Sequence, residues 1–186
     1  SMVNFIWTIA DECLRDVFVR GKYRDVILPM TVLRRLDSVL EPTKATVLAQ
    51  KAFLDKAGVA GQEGALRKAA GQGFYNASPF CLKDLAGRTN VQQLTADFEV
   101  YIQGFSENVQ DILDKFDFRR QLEKMVKARI LGSVIEKFVS NKVNFSPDPV
   151  LDEHGKVRLP GLDNHAMGML FEELIRRFNE ENNEEA

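Results

Sequence analysis

The sequence predicts an all-α fold, an irregular helical bundle of about seven helices. Three observations carry that prediction. Apolar residues recur at three- and four-residue spacing through most of the chain. Glycine and proline gather in two less regular stretches, around 58–90 and 144–160. No internal repeat and no low-complexity segment points to another architecture.

Taken in order, Phe5, Ile6, Ile9, Ala10, Cys13, Leu14, Val17 and Phe18 form a first amphipathic stripe, interrupted by Gly21. Val26, Met30, Leu33, Leu36 and Leu40 form a second. Pro29 falls within it and should kink that helix or mark its first turn, because proline lacks the backbone donor. After Glu41-Pro42, Thr43 is placed to cap a third helix holding Val47, Leu48 and Leu54, ended by Gly58. Residues 58–90 read mostly as loop, with a short helix over Leu66–Ala70. Glycines crowd this stretch, but no Gly-Lys-Ser/Thr and no dinucleotide-type glycine triplet accompanies them, so it reads as a surface excursion and not a phosphate cradle. Asn90 with Gln93 forms a cap pair ahead of Val91, Leu94, Phe98, Tyr101, Ile102 and Phe105. Ser106 precedes Val109, Ile112, Leu113 and Phe116, and one further stripe runs from Leu122 through Ile130 to Val139. A short β-hairpin fits residues 150–159, where His154-Gly155 supplies the turn. Asp163 or Asn164 can then cap a last helix carrying Met167, Leu170, Phe171, Leu174, Ile175 and Phe178, with Glu172 and Glu173 each four residues before an arginine. These spacings place Trp7, Cys13, Leu33, Leu36, Phe171 and Phe178 in one continuous core.

Bulk properties narrow the class. A chain of 186 residues with 45% hydrophobic and 28% charged residues is an ordinary globular composition with enough apolar material for a core. The net charge of −2 excludes a globally basic nucleic-acid binder, though not a local basic face. Cys13 and Cys81 are too few for a disulfide framework and sit in apolar contexts, which reads as buried, reduced thiols of a cytoplasmic protein. No apolar run reaches the roughly 20 residues of a membrane span.

Catalytic chemistry is hard to find. His154 and His165 are the only histidines, no ligand pair has helix-face spacing, and no nucleophile motif is present. One feature stands out. Between Lys115 and Lys142 eight basic residues face three acidic ones, and Arg120, Lys124 and Lys127 fall at i, i+4, i+7, opposite the Leu122/Val126/Ile130 stripe. Together with Arg119 they are candidate contacts to a DNA backbone, which such a stripe would bind in a salt-dependent, sequence-independent way. The plainer reading is a solvated helix face. Catalytic, cofactor and metal residues are expected to be absent from this chain.

Three stretches then bear on identity. Trp7, Ala10, Leu14 and Arg15, followed by Ile27-Leu28-Pro29 and Leu33-Arg34-Arg35-Leu36-Asp37, resemble the opening of the modification (methyltransferase) subunit of type I restriction–modification systems. The middle "FYNASPF" and the ending "GMLFEELIRRFNEENNEEA" resemble the same family. The resemblance implies that residues 1–178 are the N-terminal helical domain and 179–186 the start of a linker to a methyltransferase domain that this chain lacks. It implies a prokaryotic, cytoplasmic enzyme that methylates adenine N6 in a specific DNA site using S-adenosylmethionine. Its implied partners are DNA, a specificity subunit and, in the wider assembly, a restriction subunit and a second modification subunit. The family's Asn-Pro-Pro-aromatic motif is missing, since none of the six prolines adjoins another. Two alternatives stay open: an assembly module with no DNA contact, and an independent helical regulator with an acidic tail.

Overall fold

A computed structural model describes residues 1–185, and among them ten α-helices and one two-stranded sheet. The helices are α1 (Met2–Leu14), α2 (Arg24–Leu40), α3 (Lys44–Lys56), α4 (Glu63–Ala70), α5 (Leu82–Leu85), α6 (Val91–Gln103), α7 (Glu107–Lys115), α8 (Phe118–Lys127), α9 (Leu131–Phe138) and α10 (Asn164–Glu185). Strands β1 (Val150–Leu151) and β2 (Val157–Leu159) pair antiparallel, with Val150 opposite Leu159 and Leu151 opposite Val157. The all-α class and the hairpin are as the sequence predicts; the helix number is higher. Two causes account for it. Residues 58–90 contain α5 as well as α4, and the stripe from Leu122 to Val139 is two helices. At that break Arg129 takes φ 60°, the Ile130 N–H donates to the Met125 carbonyl and the Arg129 N–H to that of Val126. This is the reciprocal closure of a helix C-terminus, which usually carries glycine at the left-handed position.

The core is organised around α2. Val26, Ile27, Leu28, Pro29, Met30, Thr31, Leu33, Arg35, Asp37, Ser38 and Leu40 are all buried, so this helix is apolar round most of its circumference and lies inside the bundle. It packs against α8, α9 and α10, while α1 lies along α9 and α10. Pro29 neither ends nor starts the helix, which continues to Leu40. The bond it deletes would have used the Asp25 carbonyl, in the first turn, where a missing rung disturbs least. Trp7, Cys13, Leu33 and Phe178 are buried in the one core; Leu36 and Phe171 are only half-buried against it.

Local signals fared according to what else could reach them. Asn90 accepts the Gln93 N–H at 2.9 Å, and Asp163, not Asn164, caps α10 by accepting the Ala166 N–H at 2.8 Å. Thr43 makes no capping bond; its hydroxyl donates instead to the Ala70 carbonyl at 2.9 Å and ties α4 to α3. Glu172 and Glu173 do not take their i+4 arginines. Arg176 turns to Glu180 at 2.8 Å, and Arg177 crosses to α1, where it donates to Asn4 Oδ1 at 2.7 Å and lies 4.6 Å from the Trp7 ring centroid. The Trp7 ring also meets Phe178 at 5.0 Å between centroids. Helix α10 does not stop at Phe178: Arg24 donates to Asn179, and Arg20 pairs with Glu181 at 3.0 Å. Ala186 lies outside the described residues.

Candidate nucleic-acid interface

Helix α8 buries Phe118, Gln121, Leu122 and Met125, with Val126 half-buried. Facing away are Arg119, Arg120, Glu123, Lys124 and Lys127, every one of them exposed. The four candidate contacts are therefore together on one helix. Arg120, Lys124 and Lys127 share an arc of roughly 60°, with axial steps of about 6 and 4.5 Å. Arg119 lies to one side, reaching Gln110 Oε1 of α7 at 3.4 Å. Arg120 is 3.5 Å from Asp117, an exposed pair of little energetic weight. The Lys124 ammonium sits 5.7 Å from the centroid of the Phe18 ring, and Lys127 makes no ion pair among the described residues. A groove of about 270 Å³ runs between this face and α6, lined by Thr95, Glu99, Arg119, Leu122, Glu123, Val126 and Lys127. Of the other cations in the basic stretch, Lys137 is held by Glu12 at 2.6 Å and is not part of the face.

The Leu33-Arg34-Arg35-Leu36-Asp37 stretch does different work. Arg35 is 6% exposed and donates to the Phe145 carbonyl at 2.8 Å, to the Leu162 carbonyl, and to Asn164 Oδ1 at 3.1 Å. One guanidinium thereby fastens the connection between α9 and α10 to α2. Arg34 donates to the Phe138 carbonyl at 3.0 Å and pairs with Asp37 Oδ2 at 3.1 Å. Asp37 Oδ1 accepts the Leu82 N–H at 3.0 Å and the Tyr101 hydroxyl at 2.9 Å. Burial pushes this carboxyl up from its ordinary value, against the Leu82 N–H, the Arg34 charge and the Tyr101 hydroxyl, which pull it down. Both arginines are structural: Arg34 keeps its i+3 partner Asp37, and each also reaches a carbonyl more than 100 residues away, which no sequence spacing signals.

"FYNASPF" is also a fastening. The Asn76 side chain donates to the Tyr101 carbonyl at 2.8 Å and accepts the Ser78 N–H and hydroxyl, while Lys44 donates to Asn76 at 2.8 Å. The Ala77 N–H donates to the Gly104 carbonyl at 2.8 Å. A Cβ at Gly104 would lie 2.6 Å from the Ser78 nitrogen, so glycine is required by proximity. Cys13 and Cys81 are both buried. His154 and His165 are exposed, and no group of three or more His, Cys, Asp or Glu could hold a metal among the described residues.

The model of the HsdM N-terminal domain family matches residues 2–138. The chain belongs to that family. It is thus the N-terminal domain of the modification subunit of a type I restriction–modification system, a methyltransferase subunit that works in assembly with others. The HsdM match spans α1 to α9, and within it Asn4, Trp7, Arg20, Arg24 and Arg35 contact α10 or the connection that leads to it. Neither the curated proteins nor the solved structures compared with this HsdM domain returned a match. No helix among its described residues is long and apolar enough to cross a membrane.

Proposed function

We propose that this domain helps close a modification complex around DNA and touches the DNA backbone through the solvent face of α8. The subunit carrying it transfers a methyl group from S-adenosylmethionine to adenine N6 in a specific site, in the cytoplasm of a prokaryotic cell. It does so beside a specificity subunit that reads the bases, within an assembly that includes a restriction subunit and a second modification subunit. The domain contributes no catalytic group. It lacks the Asn-Pro-Pro-aromatic motif, and the methyl transfer is assigned to the rest of the subunit. The observation that carries the backbone contact is the set of four exposed cations on one helix, Arg119, Arg120, Lys124 and Lys127, in a chain of net charge −2.

The test is the salt dependence of DNA binding by the modification subunit in complex with its specificity subunit. Changing Arg120, Lys124 and Lys127 to alanine should weaken specific and random duplexes alike, because phosphate contacts position without reading sequence. Each lost contact should also lower the slope of log affinity against log salt by roughly one. A purely assembly role is favoured by the exposed Leu151–Val157 pair of the hairpin, 54% and 59% accessible. In that case the triple variant leaves the slope where it was.

A further inference from the structure

The contact between Lys124 and Phe18 joins α8 to a second basic segment. Phe18 is 5% exposed and belongs to the connection between α1 and α2, which turns at Arg15–Phe18 and closes through a 3-10 turn over Arg20–Lys22. With the ammonium 5.7 Å from that ring, the connection lies beside the solvent face of α8. Arg15, Val19 and Lys22 are exposed there, Val19 by 72%. Residues 15–24 hold Arg15, Arg20, Lys22 and Arg24 against Asp16, and residues 119–129 hold five cations against Glu123. These 21 residues carry nine positive charges against two negative, while the chain is net −2, so all the rest is net −9. Asp11, Glu12, Asp25 and Asp117 border these stretches, Asp117 lying 3.5 Å from Arg120, so the exposed positive pole consists of Arg15 and Lys22 on the connection and the four cations of α8. Arg20 and Arg24 reach toward α10 through Glu181 and Asn179, whereas Arg15 and Lys22 make no ion pair among the described residues.

A nucleic acid fits this pole better than an acidic protein does. The exposed positions of α8 are Arg119, Arg120, Glu123, Lys124 and Lys127, with no apolar or aromatic anchor among them, and the connection adds one small apolar side chain, Val19, and no aromatic one. Protein interfaces centre on such anchors and are depleted in lysine. Duplex DNA instead presents a continuous row of phosphates, one per about 3.4 Å of axis on each strand, which a row of cations neutralises without any apolar anchor. We propose that the α1–α2 connection is a second DNA contact, in which Arg15 and Lys22 take backbone phosphates of the duplex that lies on α8 and Val19 rests on the sugars. The inference rests on the backbone role assigned to α8.

The experiment compares two variants of the modification subunit, each in complex with its specificity subunit: Arg15→Ala with Lys22→Ala, and the α8 triple alanine. The connection variant should reduce the salt slope by about two, with equal loss for specific and random duplexes. If only the α8 variant moves the slope, the connection is not a contact and the α8 reading stands. If only the connection variant moves it, the duplex does not lie on α8, and both the α8 reading and the path that joins the two segments fall; if neither does, both fall as well. A connection variant that impairs recovery of the subunit complex at an unchanged slope would assign the segment to an acidic protein surface. A second readout is local. Both thiols of this domain are buried, so Val19→Cys adds an accessible thiol to it at the loop tip, followed by peptide mapping. Maleimide labelling at that position should slow when duplex is bound, and an unaltered rate would refute the contact.

Discussion

Replacing Arg35 with methionine should detach the connection between α9 and α10 from the bundle. The guanidinium donates to the carbonyls of Phe145 and Leu162 and to Asn164 Oδ1. Phe145 is 1% exposed, so its carbonyl would lose its partner with no water to replace it. That desolvation costs about 1–3 kcal/mol, and hydrogen bonds to charged donors contribute about 1.5–3 kcal/mol each. Leu162 and Asn164 lie nearer solvent and recover part of their loss from water, and methionine removes the cost of burying a charge. The net expectation is a loss of about 3 kcal/mol, a large share of the roughly 5–15 kcal/mol that holds a domain folded. With urea slopes of about 1–3 kcal/mol per molar, the midpoint should fall by about 1 M or more. Limited proteolysis should open the chain between Phe145 and Asn164 before the rest. Arg35→Lys should recover less than half, since an ammonium cannot reproduce the planar fork that spans three acceptors. A midpoint within the error of the parent, with the same protease pattern, would refute the stapling role.

Other outcomes follow from the same geometry. Burial raises the Cys13 thiol and pushes Cys81 up to about 11, so neither should react with a thiol reagent at about pH 8 until the protein unfolds. Prompt labelling of either in the native protein would contradict this. Burial raises the Asp37 carboxyl above 3.8, so the folded state binds that proton more tightly than the unfolded chain. The stability gained is complete below 3.8 and lost as pH rises through the raised value; Asp37→Asn should lack that leg of the pH profile, and parallel profiles would count against it. Gly104→Ala drives a Cβ against Ser78 and should lower stability by about 1–3 kcal/mol, seen as a reduced Tm. An unchanged Tm would mean that the segment of residues 75–78 can move aside.

What the sequence settled by itself lies within one or two turns of chain. The apolar stripes of α1, α2, α6 and α10, the cap at Asn90, a cap at Asp163 or Asn164, and the turn at His154-Gly155 are legible because a helix repeats every 3.6 residues and its end groups need a partner three residues away. The exposed set on α8 is legible for the same reason: Arg120, Lys124 and Lys127 fall on the arc opposite the apolar face. The tertiary structure decided every contest between a near partner and a distant one. Arg177 leaves Glu173 for Trp7 and Asn4, Thr43 leaves its cap for Ala70, Arg34 binds the carbonyl that ends α9, and Arg35 binds one beyond it. An exposed i, i+4 pair contributes only about 0.2–0.5 kcal/mol, so an aromatic face or a buried carbonyl outbids it when folding brings one near. The half-burial of Leu36 and Phe171, the break at Arg129 and the meeting of Phe18 with Lys124 have the same origin. Each depends on which helices pack together, and that depends on the whole core at once.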